Sequence, residues 1–144
     1  YWQLAIKHGA YGVHIGQEDL GKADLYKIQQ SGLRLGISTH GCYEFLLAQQ
    51  LRPSYLAIGA IFPTKTKDMT GQIHGIENLH QLLTVRSHQL DEQIPVVAIG
   101  GINLERAPKV LATGVDSIAV VTAITEAATP EEVIDDLVAL TLSC

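Results

Sequence analysis

Five short apolar runs, each followed by a helical pattern, constrain the fold of this chain more than any other feature. The runs are rich in β-branched residues and occupy positions 11–15, 33–37, 54–58, 94–99 and 117–121. Such runs are typical of strands that are buried in parallel sheets covered by helices. The helical patterns occupy residues 20–30, 43–51, 76–88, 104–113 and a last segment that begins at 129. This regular alternation predicts an α/β protein with a parallel sheet.

Two architectures contain five such βα units. One is an open, flavodoxin-like sheet, and the other is five-eighths of a (β/α)8 TIM barrel, which needs about 200 residues or more when complete. The chain has 144 residues and opens with what resembles the end of a helix, at residues 4–9. That opening favours the barrel, and we expect residues 1–144 to be one domain that forms part of it.

Composition and charge exclude several classes of protein. The chain is 47% hydrophobic and 17% charged, and no apolar run reaches the length of about 18 residues that a membrane span requires. A net charge of −5 argues against a general nucleic-acid binder. Cys42 and Cys144 make neither a metal cluster nor a disulfide framework. A cytoplasmic protein that uses neither nucleic acid nor membrane as a partner is the simplest interpretation.

The fourth strand leads into a turn that suits a phosphate group. Gly100 and Gly101 follow the strand, and Asn103 is a candidate N-cap for the helical pattern at 104–113. Glycine lets the backbone approach a ligand closely, and free N–H groups beside a helix start attract anions. A tight βα turn without a ligand explains the same residues equally well.

Further polar groups follow the other strands, where parallel α/β proteins place their sites. Asp19 or Glu18 could hold Mg²⁺, or one of them could simply cap the next helix. His40 could be an acid–base group or could form a hydrogen bond within its own loop. His14 alternates with apolar neighbours, which favours a packed, structural role in the interior of a barrel.

The long loop after the third strand contains hydroxyl and ammonium groups at alternate positions. Thr64 and Thr66 would lie on one side of an extended loop, with Lys65 and Lys67 on the other. Lysine in this position would act as a point charge on phosphate. A solvated basic loop is the alternative.

Five segments together resemble the thiamine-phosphate synthase family. They are GVHIGQED at 12–19, GISTH at 36–40, GAIFPTKTK at 59–67, VAIGGI at 97–102 and AVVTAI at 119–124. The resemblance implies a (β/α)8 barrel that couples hydroxymethylpyrimidine diphosphate to thiazole phosphate, with release of diphosphate, in thiamine biosynthesis. It implies a transferase in which departure of diphosphate leaves a stabilised pyrimidinyl-methyl cation, which the thiazole nitrogen then captures.

The resemblance also implies roles for individual residues. Asp19 resembles a Mg²⁺ ligand, and Ser38 and Lys67 resemble catalytic contacts to the pyrimidine diphosphate. The positions that resemble the thiazole phosphate site are Thr64, Lys65, Thr66, Gly101, Val121 and Thr122. Position 122 is more usually serine in the family, and Lys65 fills a variable position.

The chain also departs from the family pattern, because the first three strands and their Q-x-R-x-K and N-D segments have no counterpart here. The resemblance therefore covers the C-terminal two-thirds of the family, strands 4–8. We expect this part alone to be inactive, and its open edges to cause poor solubility or self-association into a homo-oligomer. Two alternatives remain: a thiazole tautomerase of the same fold that uses a histidine in the S-x-H segment, and a non-catalytic phosphate-binding homologue.

Overall fold

The strands form one parallel sheet in which each strand pairs with the next along the chain. The computed structural model describes residues 1–64, 73–86 and 94–142. The sheet order is β1-β2-β3-β4-β5, and all four pairings are parallel. The strands are β1 (Gly12–Ile15), β2 (Arg34–Thr39), β3 (Tyr55–Ile58), β4 (Val96–Ile99) and β5 (Ser117–Ala119). The predicted parallel α/β sheet is confirmed, whereas a flavodoxin-like order, with β1 between β2 and β3, is wrong for these strands.

Helices precede β1 and follow every strand. They are α1 (Trp2–Lys7), α2 (Gln17–Leu20), α3 (Leu25–Gln30), α4 (Cys42–Gln50), α5 (Gly75–Arg86), α6 (Ala107–Leu111), α7 (Thr122–Thr125) and α8 (Pro130–Leu142). The continuation of α5 that the sequence predicts at residues 87–88 lies outside the described residues. None of the helices in the described part of the chain has the length and apolar character needed to cross a membrane.

Two helix boundaries differ from prediction because polar side chains start and stop the helices locally. The single helix predicted at 20–30 is wrong, since α2 ends at Leu20 and α3 begins at Leu25. Asp24 caps α3 by accepting a hydrogen bond from the main-chain N–H of Lys27 at 3.0 Å. The predicted N-cap role of Asn103 for α6 is also wrong: its Oδ1 accepts from the N–H of Arg106 at 3.0 Å, but this bond closes a turn, and the N-cap residue of α6 is Arg106. The residues between Asn103 and Ala107 form this turn, and α6 starts only after it.

The two faces of the sheet have different environments, and this difference positions the site. One face packs under the helices through fully buried residues such as Ile37, Leu56 and Val96. The opposite face carries His14, Gly36 and Tyr55 side by side, because the pairing register aligns His14 with Gly36 and Gly36 with Tyr55. Polar side chains therefore gather on the face that the helices leave open.

A buried arginine joins the end of α5 to the starts of β4 and β5. The Arg86 side chain is 9% exposed, and its Nη1 donates to Oδ2 of Asp116. The same carboxylate oxygen accepts the N–H of Val96 at 2.7 Å. One carboxylate oxygen thus accepts from both a buried guanidinium and a strand N–H, and it couples three elements at the N-terminal end of the sheet.

We expect Asp116→Asn to destabilise the fold because it leaves the buried Arg86 charge without its counter-ion. Removal of one partner of a buried pair costs about 3–5 kcal/mol, and partial exposure of Asp116 reduces this to about 2 kcal/mol. The measurement is the free energy of unfolding in urea, with Asp135→Asn on the exposed surface of α8 as the matched control. Equal stability of the two variants would contradict a structural role for the pair.

Candidate functional site

A cavity of about 260 Å³ opens at the C-terminal ends of β2, β3, β4 and β5. Polar groups occupy part of its wall, and small or branched apolar residues occupy the rest. The polar side chains are those of Ser38, Thr39, His40, Thr64 and Thr122. The apolar part includes Ala57, Ile99, Ile102, Ala119 and Val120. A concave, mostly apolar site with a few convergent polar groups is the usual form of a small-molecule site.

Five of the predicted substrate-binding residues line this one cavity. They are Ser38, Thr64, Gly101, Val121 and Thr122, which come from four different strand ends. Lys65, Thr66 and Lys67 lie outside the described residues. The predicted clustering is therefore present for the described residues that follow β2, β3, β4 and β5, whereas Asp19, which follows β1, does not line the cavity.

Asp19 lies at the same end of the sheet but outside the cavity lining. It is in α2, directly after β1, with a side chain that is 67% exposed and 3.7 Å from the ammonium group of Lys22. No three His, Cys, Asp or Glu side chains within residues 1–64, 73–86 and 94–142 form a group that could hold a metal. A single open carboxylate fits Mg²⁺ of the kind that takes one protein ligand and completes its shell with phosphate oxygens and water.

The two glycines after β4 are required by neighbouring protein backbone. Gly100 has φ +103° and Gly101 has φ +62°, which are conformations that favour glycine. A Cβ on Gly100 would overlap Ala60, and one on Gly101 would overlap Phe62. The tight-turn interpretation therefore accounts for the glycines by itself. Gly101 nevertheless lines the cavity, and its carbonyl oxygen accepts a hydrogen bond from Arg106 at 2.6 Å.

Ser38 is held from two directions by residues of the first βα unit. His14 Nε2 lies 2.7 Å from Ser38 Oγ, and Gln17 Nε2 donates to the Ser38 carbonyl oxygen at 2.5 Å. Tyr55 completes the arrangement, with its hydroxyl 2.8 Å from His14 Nδ1. Gln17 and Tyr55 were not among the predicted site residues. His14 lies on the face of the sheet opposite the helices, the face that a barrel would enclose, and its packed, structural role stays a prediction.

The feature that identifies the network of Ser38, His14 and Tyr55 is the position of Gly36 opposite Tyr55 on the neighbouring strand. A Cβ at Gly36 would overlap the phenol ring of Tyr55, so only glycine leaves room for that ring to reach across β2. Strand alternation places Gly36 and Ser38 on one face of β2, but the register between strands is needed to bring His14 and Tyr55 beside them.

Burial sets the protonation of the two aromatic partners. It lowers the pKa of His14 below its usual value of 6.5 and raises the pKa of Tyr55 above 10.0. The imidazole is therefore neutral at pH 7, and the phenol keeps its proton. Both groups are available as hydrogen-bonding partners with no net charge.

Comparison with known proteins decides the family. The family model for thiamine monophosphate synthase matches residues 1–124. The chain is 60% identical over 125 residues to a thiamine-phosphate synthase of Yersinia pestis, and 57% identical over 140 residues to one of Klebsiella pneumoniae. The chain belongs to the thiamine monophosphate synthase family. The resemblance of the five segments is therefore confirmed.

A solved structure shares the fold. The thiamine phosphate pyrophosphorylase from Pyrococcus furiosus superposes on 99% of this chain with a TM-score of 0.81 and 31% sequence identity. The chain spans 56% of the Yersinia relative, 64% of the Klebsiella relative and 65% of the Pyrococcus chain. It therefore spans between just over half and just under two-thirds of the length of these proteins.

The carboxylate of Glu44 fixes His40 beside the cavity of this family member. The main-chain N–H of His40 donates to Glu44 Oε2 at 2.7 Å, and His40 Nδ1 lies 3.1 Å from the same oxygen. Both roles proposed for His40 remain open, because the contact lies within its own loop and α4 while the residue also lines the cavity.

Burial, and secondarily the charge of nearby His40, lowers the pKa of His74.

We expect the free energy of unfolding to fall as the pH is lowered from about 7 to 5. The unfolded imidazoles of His14 and His74 take up protons near pH 6.5, whereas their folded forms have lower pKa values and resist protonation. The unfolded state then binds more protons, so stability rises with pH across this window. Urea unfolding at several pH values measures the dependence.

His14→Gln should weaken that pH dependence because glutamine does not titrate. His80→Gln, at an exposed position of α5, is the matched control and should leave more of the dependence in place. An unchanged slope in His14→Gln would show that His14 is protonated equally in the folded and unfolded states.

Proposed function

We propose that this chain forms the larger part of the active site of a thiamine-phosphate synthase. The reaction couples hydroxymethylpyrimidine diphosphate to thiazole phosphate and releases diphosphate. The observation that carries the proposal is the single cavity into which Ser38, Thr64, Gly101 and Thr122 converge from separate strand ends. Two phosphorylated substrates need such a convergence of hydroxyl groups and main-chain N–H groups.

The chemistry assigned to the site requires no protein nucleophile. The bond between the pyrimidine methylene carbon and the diphosphate oxygen breaks, and its electron pair leaves with diphosphate. The thiazole nitrogen then supplies the pair that forms the new C–N bond. The Ser38 hydroxyl donates to the departing group and Lys67 neutralises its charge, with Lys67 placed here by the family pattern alone.

The remaining residues position the substrates. Thr64 and Thr122 offer hydroxyls to the thiazole phosphate, and Gly101 and Val121 offer main-chain groups. The family pattern alone assigns Thr66 and Lys65 to the same phosphate. Mg²⁺ held by Asp19 would supply positive charge to the diphosphate. The apolar wall at Ala57, Ile99 and Ala119 excludes water, which strengthens these electrostatic contacts.

The five strands are assigned to strands 4–8 of a (β/α)8 barrel, with residues 1–144 as a partial barrel domain. Coverage of 65% of the Pyrococcus chain and the sequential parallel order support this assignment. A cytoplasmic location remains a prediction from sequence. The assignment implies that the chain alone lacks part of the diphosphate site and is inactive.

A turnover assay tests the function and the need for the rest of the barrel. The chain is joined to the part of the Klebsiella relative that it does not match, and this composite protein is compared with the chain alone. We expect the composite to form thiamine phosphate from the two substrates with Mg²⁺, and the chain alone to form none. Normal turnover by the chain alone would contradict the partial-site assignment. An inactive but folded composite would contradict the function.

His40 and Glu44 favour a second candidate, the thiazole tautomerase. A carboxylate on Nδ1 leaves Nε2 of His40 available to move a proton at the cavity wall. The composite would then isomerise a thiazole carboxylate phosphate and ignore the pyrimidine diphosphate, and His40→Asn would abolish that isomerisation. Binding of thiazole phosphate without any turnover would identify a non-catalytic homologue.

We expect the chain alone to self-associate. β1 and β5 are edge strands of the described sheet, so the N–H and C=O groups along their outer sides have no strand partner there. Sedimentation velocity over a range of concentrations should show species larger than 15.6 kDa. A monodisperse monomer with a cooperative melt would contradict this expectation.

A further inference from the structure

Three hydrogen-bonded side chains lie in a row across the open face of the sheet. The last of them is Ser38, whose hydroxyl is proposed to donate to the departing diphosphate. Tyr55 on β3 lies 2.8 Å from His14 Nδ1, and His14 on β1 lies 2.7 Å from Ser38 on β2. The His14 and Tyr55 rings also stack, with centroids 5.5 Å apart and planes at 27°. The stacking fixes the plane of the imidazole, and therefore the direction in which Nε2 meets Ser38.

The position of the imidazole proton decides what Ser38 can do. If the proton is on Nδ1, Nε2 can only accept, so the Ser38 hydroxyl proton is used by His14. If the proton is on Nε2, His14 donates to Ser38 Oγ, and the Ser38 O–H is released to donate elsewhere. Only the second arrangement leaves Ser38 able to donate to an anionic oxygen.

Tyr55 favours the second arrangement. A phenol that keeps its proton can donate to Nδ1, and an Nδ1 that accepts this bond leaves the imidazole proton on Nε2. Burial raises the pKa of Tyr55 and lowers that of His14, so both remain neutral around pH 7. These neutral forms allow a donor direction that runs from Tyr55 to His14 to Ser38.

We propose that Tyr55 and His14 are positioning residues that hold Ser38 with its hydroxyl proton directed to the departing diphosphate. This inference rests on the proposed function and adds two residues that do not themselves touch the substrate. Gln17, which donates to the Ser38 carbonyl oxygen at 2.5 Å, fixes the main chain of the same residue. Gly36 makes the arrangement possible, since any Cβ there would displace the Tyr55 ring.

The tautomer of His14 tests the inference directly on the chain itself. Long-range nitrogen–proton NMR of ¹⁵N-histidine-labelled chain, assigned with His14→Gln, reports which ring nitrogen carries the proton. We expect Nε2–H with an unprotonated Nδ1 at pH 7.5, and a mixture of the two tautomers in Tyr55→Phe. Tyr43→Phe, at an exposed position of α4, should leave the spectrum unchanged. A dominant Nδ1–H form in the unmutated chain would overturn the inference.

Kinetics of the composite protein test whether the two residues act through Ser38. Tyr55→Phe should lower kcat about 5-fold and leave KM for thiazole phosphate unchanged, because it weakens only a contact made to the leaving group. Ser38→Ala should lower kcat about 10²-fold or more. Adding His14→Ala to Ser38→Ala should change kcat by less than about 2-fold, since the residue through which His14 acts is already absent.

Additive losses in that double variant would show that His14 has a separate, structural role and would overturn the inference. Tyr43→Phe is again the control and should keep the parental kcat. If the unmutated composite makes no thiamine phosphate, the proposed function fails, while the tautomer measurement still decides the direction of the hydrogen bonds. The two failures are therefore distinguishable.

Discussion

The parallel, in-register pairing of consecutive strands is the constraint on which every other feature of this molecule depends. Because all five strands point the same way, the residues that follow them meet at one edge, although they are separated by up to about 100 positions in the chain. The same register places His14 beside Gly36 and Gly36 beside Tyr55 on the face that the helices leave open. A shift of one residue would turn His14 towards the helices and place Ile15 on the open face. The polar network and the apolar core are thus two consequences of one pairing.

The sequence predicted those features that depend on local pattern, and it failed where contacts between strands decide. Apolar runs identified all five strands, and family segments identified the cavity residues Ser38, Thr64 and Thr122. The helix predicted at 20–30 was wrong because the Asp24 cap outweighed a continuous amphipathic pattern. Alternation shows only that His14 and Ile15 lie on opposite faces, and the fold is needed to show which of those faces the helices cover. Tyr55 could not be found without the register that brings it across Gly36.

The glycines show why one residue type needs different explanations at different places. Gly100 and Gly101 look like an anion site in sequence, yet the overlap of a Cβ with Ala60 or Phe62 is enough to require them. Gly36 looks like an ordinary strand residue, yet it is the position that admits the Tyr55 ring. A glycine is therefore informative about function only when the group that occupies the space of its Cβ is known. At Gly36 that group belongs to the site, whereas at Gly100 it belongs to the neighbouring loop.

The apolar core and the polar network lie on different faces of the sheet. The core lies between the sheet and its helices, and its residues, from Ile15 at β1 to Val110 at α6, are buried within the described part of the chain. The polar side chains of the open face are held by hydrogen bonds between strands rather than by packing in this core. In a closed barrel that face becomes the interior, where water is excluded and each hydrogen bond becomes stronger. Closure of the sheet would therefore change the energetics of Ser38 and its partners far more than those of the helical layer.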